Sequence, residues 1–149
     1  MVPVHVERVL ELVTVEGERS HILVLVDEEG RTALPITIGS GEAEAIAIGM
    51  SGAQPPRPLT HDLLLRVVEE LGGRIQRVLV HDMRGETFIG QLDVATSRGV
   101  LEVDCRPSDG VAVAVRAGCP ILVDEEVLAK AGVDPDRFRG EESSPPTWD

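Results

Sequence analysis

The sequence predicts an α+β fold: a duplicated strand–strand–strand–helix unit with pseudo-twofold symmetry, a linker helix between the copies and a C-terminal helix after them. Three observations carry this expectation. Valine-rich stretches that alternate apolar and polar residues recur along the chain, and that period marks half-buried strands. Two runs of small apolar residues, 42–50 and 108–116, each follow a strand and open on acids, as helices favour. A shift of 67 residues then aligns the two halves without a gap. Arg31 falls on Arg98, Leu34 on Leu101, Ala45 on Ala112 and Ala47 on Ala114, while Ile36, Ile46 and Ile48 fall on Val103, Val113 and Val115. Glu42 falls on Asp109, so the two carboxylates are expected to face each other across the pseudo-axis.

The elements follow in order. Residues 2–15 read as a first strand, 21–26 as a second that is apolar on both faces, and 32–38 as a third. Asp27-Glu28-Glu29-Gly30 is the hairpin turn between the last two. The small-residue helix comes next, then a loop rich in Gly and Pro over 51–59. Thr60 is expected to cap the linker helix, 61–71, whose Leu63, Leu64, Val67, Val68 and Leu71 form an apolar stripe ended by Gly72-Gly73. Strands at 77–81, 87–94 and 100–105 repeat the first half, with a turn at 82–85. Pro107 ends the last of them, and Ser108 is placed as the N-cap of the second small-residue helix, with Asp109 in its first turn. A short strand at 120–123 and a helix from Glu125 to Ala131, capped by Asp124, complete residues 1–133 as a single domain. Residues 134–149 are acidic, contain Pro and Ser and lack an apolar period, which predicts a disordered tail.

Composition narrows the function. Aromatic residues are limited to Phe88, Phe138 and Trp148, so the core must be aliphatic and no stacking platform for bases is available. The net charge is −12, of which the last sixteen residues contribute −3, so the tail does not explain the acidity. Affinity for a nucleic-acid backbone comes largely from Lys and Arg, and an acidic chain is a poor generic binder. Thirteen of the fourteen basic residues are Arg, the better partner for planar contact with phosphate or carboxylate. Cys105 and Cys119 lack the spacing of a metal or disulfide framework. The absence of a secretory leader and of an 18-residue apolar run predicts a cytoplasmic protein with no membrane partner.

Two charged knots stand out. Arg57-Pro58-Leu59-Thr60-His61-Asp62 and Asp104-Cys105-Arg106-Pro107-Ser108-Asp109 share one grammar: arginine, proline, hydroxyl, acid in the first helical turn. In the first, Arg57 is placed to meet an anion, and His61 and Asp62 to bind a metal or move a proton; a plain capping arrangement explains the same residues. In the second, Asp104, Arg106 and Asp109 combine metal-ligating carboxylates with a phosphate clamp, or else form an internal ion pair that pins the turn. Oxygen donors of this type suit Mg²⁺ or Mn²⁺. Glu42 and Glu44, two apart on a helix, do not share a face, and Glu42 is favoured for the site because it matches Asp109. The first copy of the repeat carries Thr37 and Gly39 where the second has Asp104 and Arg106, so this charge is not a requirement of the unit's fold.

These two knots, with Thr37-Ile38-Gly39 and Glu42-Ala43-Glu44-Ala45-Ile46-Ala47, resemble the bacterial bifunctional nuclease family over residues 2–133. The resemblance implies a compact α+β homodimer that cleaves DNA and RNA. It reaches Glu42, Glu44, Arg57, Thr60, His61, Asp62, Asp104, Arg106, Ser108 and Asp109, while Gly110 stands where Ala is expected and Cys105 where a small residue is usual. On this reading Asp104, Asp109 and Glu42 hold Mg²⁺ or Mn²⁺, Arg57, Arg106 and Ser108 bind the substrate, and His61, Asp62 and Asp109 carry proton transfer. The alternative is a non-catalytic regulatory or interaction module that binds a small anionic ligand or a protein partner. The net charge of −12 fits it better than it fits a nuclease.

Overall fold

A computed structural model describes residues 1–139. Seven strands form one sheet in the order β3-β2-β1-β7-β4-β5-β6. The first antiparallel meander is β1 (Val2–Val13), β2 (Arg19–Asp27) and β3 (Ala33–Ile38), and the second is β4 (Arg74–Arg84), β5 (Thr87–Thr96) and β6 (Gly99–Cys105). Between them lies β7 (Ile121–Val123), antiparallel to β1 and parallel to β4. The helices are α1 (Ser40–Ser51), α2 (Thr60–Glu70), α3 (Pro107–Ala117) and α4 (Glu125–Ala131). The α+β class and the element order stand as expected. Several boundaries move, among them the end of β1 at Val13, the start of β2 at Arg19, the extension of β4 from Arg74 through the residues expected as a turn, and the start of α2 at Thr60.

Helices α1 and α3 pack on each other and on the sheet, and their small residues allow the close approach. Ile46, Val111, Ala112 and Val113 are fully buried against Leu23, Leu25, Leu34, Val78, Val80 and Val123. The other face of the first meander is covered too. Leu10, Val24, Val26 and Ala33 pack with Phe138, so β2 is apolar on both faces because it is buried on both. The chain is therefore ordered beyond residue 133: Val133 pairs with Ala33, Pro135–Arg137 form a 3₁₀ turn, and Arg8 Nη1 donates to the Phe138 carbonyl at 3.0 Å. Residues 134–139, expected as the start of a disordered tail, thus lie against the sheet, where one aromatic ring is buried. The rest of the expected tail lies outside the described residues.

The stripe on α2 is also corrected. No residue of α2 is buried. Leu65 and Val68 face the core, while Leu63, Leu64, Val67 and the following Leu71 point to solvent. Apolar spacing alone identified the helix but not which side packs.

Candidate functional site

The first turns of α1, α2 and α3 open on one cavity of about 1010 Å³, closed on its remaining side by the Gly/Pro loop. Its lining includes Gly41, Glu42 and Glu44 of α1, Pro55, Pro56 and Pro58 of the loop, Thr60 and His61 of α2, and Arg106 and Asp109 at the start of α3. Each N-terminus brings unpaired backbone N–H groups and the positive end of a helix dipole. Three such ends around one cavity favour an anion.

The N-caps differ from those expected. Arg106, not Ser108, is the N-cap of α3, with Pro107 in the first turn where no N–H is needed. Ser108 is drawn inside and is buried, which places it away from the cavity lining. Leu59, not Thr60, precedes α2, and the Asp62 carboxylate reaches back to accept from the Leu59 N–H at 2.9 Å.

Four side chains form a continuous chain of hydrogen bonds. Arg106 Nη1 lies 2.8 Å from Glu42 Oε1, and Arg106 Nε donates to Asp109 Oδ2 at 2.8 Å. The other Asp109 oxygen lies 2.9 Å from His61 Nε2. An ionised carboxylate only accepts, so Nε2 carries the proton and a neutral His61 keeps its lone pair on Nδ1. Burial pushes the Asp109 carboxyl up, but the hydrogen bonds from Arg106 and His61 outweigh it and hold the group below the usual carboxylate range. The Glu42 carboxylate lies over Gly39, in the space that a Cβ there would occupy. Glu42 and Asp109, matched in the sequence repeat, are thus brought together through Arg106.

Other expected residues fall elsewhere. Asp62 lines no part of the cavity and is committed to structure, because Arg116 Nε donates to it at 2.7 Å while Arg116 Nη1 donates to the Ala112 carbonyl. Burial opposes the charge on Asp62, yet the Leu59 N–H and Arg116 leave its carboxyl below the ordinary value. That contact of Arg116 crosses 54 residues, and no sequence spacing signals it. Arg57 is exposed on the loop and Asp104 is exposed on β6, both outside the cavity lining. Cys105 is a free, half-buried thiol raised to about 11 by burial and by the neighbouring Asp109 and Asp104, so it is no nucleophile at neutral pH.

The donor set does not fit the expected Mg²⁺ or Mn²⁺ as arranged. Arg106 already sits on both Glu42 and Asp109, Asp104 is outside, and among the described residues no three His, Cys, Asp or Glu side chains converge as metal ligands.

A mixed sheet carrying a histidine–carboxylate–arginine chain at three helix N-termini defines an α+β protein with a polar, charged cleft. The chain belongs to the bifunctional nuclease domain family, which matches residues 23–136 and so includes all four residues of the hydrogen-bonded chain. An uncharacterized protein of Mycobacterium tuberculosis is 41% identical over 126 residues, covering 85% of this chain and 75% of that protein. Bifunctional nuclease 1 of Arabidopsis thaliana is 27% identical over 115 residues, and that of Oryza sativa subsp. japonica 23% over 117; each match covers about three quarters of this chain but 35% of the plant protein. Among the described residues no helix is long and apolar enough to cross a membrane.

Proposed function

We propose that the cavity hydrolyses phosphodiester bonds of DNA and RNA with little sequence specificity. The observation that supports this most is the His61–Asp109–Arg106 chain at the junction of three helix N-termini. The helix N–H groups and the Arg106 guanidinium receive the non-bridging phosphate oxygens, where negative charge grows in the transition state. Water attacks phosphorus while His61 Nδ1 takes its proton, and Asp109 stabilises the imidazolium and fixes the ring. The bond to the leaving oxygen breaks, and that oxygen takes a proton from the imidazolium or from solvent. Glu42 holds Arg106 in place until phosphate competes for it. Asp62 supports the start of α2, and no step is routed through a metal.

A purified sample should cleave both single-stranded DNA and RNA. His61→Ala is expected to lower kcat by about 10²–10⁴-fold, the usual range for losing a general base. Arg106→Ala should cost about 10²-fold, as for losing one preorganised charge donor. Parallel assays with EDTA, Mg²⁺ and Mn²⁺ decide whether a divalent ion takes part. Undiminished cleavage by folded His61→Ala and Arg106→Ala proteins would mean a contaminating nuclease and remove the assignment.

A second reading, a module that binds a small anion without turnover, is supported by the net charge of −12, which repels a polyanion more than a small ligand. A thermal shift with a mononucleotide and no detectable cleavage would favour it.

A further inference from the structure

We propose that β6 is the pairing edge of a two-fold dimer of this chain, joining two seven-stranded sheets into one of fourteen strands. The two edges of the sheet are treated differently. At β3, Ala33 exchanges backbone hydrogen bonds with Val133, and the side chains of Leu34 and Ile36 are buried. At β6 no strand among the described residues pairs with the edge turned away from β5, and Leu101 and Val103, which the 67-residue shift aligns with Leu34 and Ile36, are 52% and 43% exposed. An open, proline-free edge of seven residues with exposed apolar side chains is a template for another strand.

The occupant follows from charge. Neither Arg98 in the β5–β6 turn nor Asp104 has an ionic partner among the described residues, although their chain offers twelve ion pairs elsewhere. A two-fold axis perpendicular to the sheet keeps like faces together. If it passes through Leu101, then Leu101 meets Leu101 of the second copy, Val103 meets Gly99, and Arg98 meets Asp104, twice over. Axes at Glu102 or Val103 instead set Glu102 against Glu102 or against Asp104, and like charges directly opposite are unfavourable. The charges on β6 reject these registers; an axis at Val100 would set Arg98 against Glu102 but leave Asp104 opposite Thr96 and Leu101 opposite Gly99, so the register centred on Leu101 is the one that gives both Arg98 and Asp104 a partner and keeps Leu101 on an apolar neighbour. The helix-side apolar surface is continuous there: Leu101 is the cross-strand partner of Val94, which with Val68 of α2 crowds Gly73, and Val67 and Leu71 extend the exposed patch. The inference does not depend on what the cavity does.

Sedimentation of the full chain tests it. The wild type should be dimeric at micromolar concentration. Arg98→Asp should weaken the dimer about tenfold or more, since it replaces two attractive pairs by two repulsive ones. Arg98→Asp with Asp104→Arg should restore it, whereas Arg98→Asp with Glu102→Arg should not. In addition, Leu101→Cys should form an intermolecular disulfide on mild oxidation that Val103→Cys does not form. Circular dichroism confirms folding, which these exposed sites should preserve. A monomeric wild type, an Arg98→Asp dimer of unchanged strength, or rescue by Glu102→Arg rather than Asp104→Arg would overturn the proposed pairing.

Discussion

Asp62 and Asp109 occupy the same position, the third residue of a helix, and do different work. Asp109 receives Arg106 and His61 and faces the cavity; Asp62 receives the Leu59 N–H and Arg116 and locks the start of α2 to α3. His61 is thereby held by its neighbour's structural role, since the Asp62–Arg116 bond fixes the turn on which it sits. Asp62→Asn is expected to cost about 1–2 kcal/mol at neutral pH, the usual worth of a charge-assisted hydrogen bond reduced for partial exposure. The sign of its pH dependence follows from the lowered carboxyl. A group ionised more readily in the folded state adds stability above its ordinary value of 3.8 and loses it as pH falls through the folded value. The gap between wild type and Asp62→Asn in urea unfolding should therefore be constant from pH 7 to about 5 and shrink below 3.8. A gap that stays constant at low pH would show that Asp62 is not stabilised by charge.

At the scale of elements, α3 shows how packing overrides propensity. Gly110 in a helix costs up to about 1 kcal/mol relative to Ala. Here a Cβ would stand 2.7 Å from Val78 Cγ1 and 3.2 Å from Cys105 Sγ, so the glycine lets α3 sit down on β4. Gly110→Ala is expected to destabilise by about 1–2 kcal/mol, overpacking outweighing the propensity gain. Cys105→Ala should relieve part of that clash, giving a coupling of about 0.5–1 kcal/mol in a double-mutant cycle. Additive effects would show that Val78 alone limits the space. Gly110 and Cys105 are thus in contact with each other. What was legible in the sequence followed the same division. Local periods revealed both meanders and the four described helices, while the charged knots singled out His61, Arg106 and Asp109 and the 67-residue shift singled out Glu42, residues that the fold brings into one hydrogen-bonded chain. The side on which α2 packs, the commitment of Asp62 to Arg116 and the burial of Phe138 were not legible. Each depends on contacts between residues far apart in the chain, for which a local pattern carries no signal.

At the scale of the whole molecule, the field opposes the proposed substrate. The chain carries −12, and its cavity includes Glu42, Glu44 and Asp109 beside Arg106. A basic nuclease loses affinity as salt rises, because releasing counterions from the phosphates into a saltier solution gains less entropy. An acidic one behaves in the opposite way at low salt, since screening weakens the repulsion that slows encounter. The Debye length falls from about 30 Å at 0.01 M to about 10 Å at 0.1 M, which removes most of the long-range field while leaving contacts within the cavity. For cleavage of single-stranded nucleic acid, kcat/KM should therefore rise several-fold as NaCl goes from 0.01 to 0.1 M, and then flatten. The hydrogen-bonded pairs at 2.8–2.9 Å are far shorter than the Debye length over that range, so kcat should stay level. A mononucleotide ester, with far less charge to repel, should show a weaker salt effect. A steady fall in kcat/KM with salt would mean that the substrate approaches along a local basic track despite the net charge, and Arg57 and Arg98 on the exposed surface would be the first residues to replace.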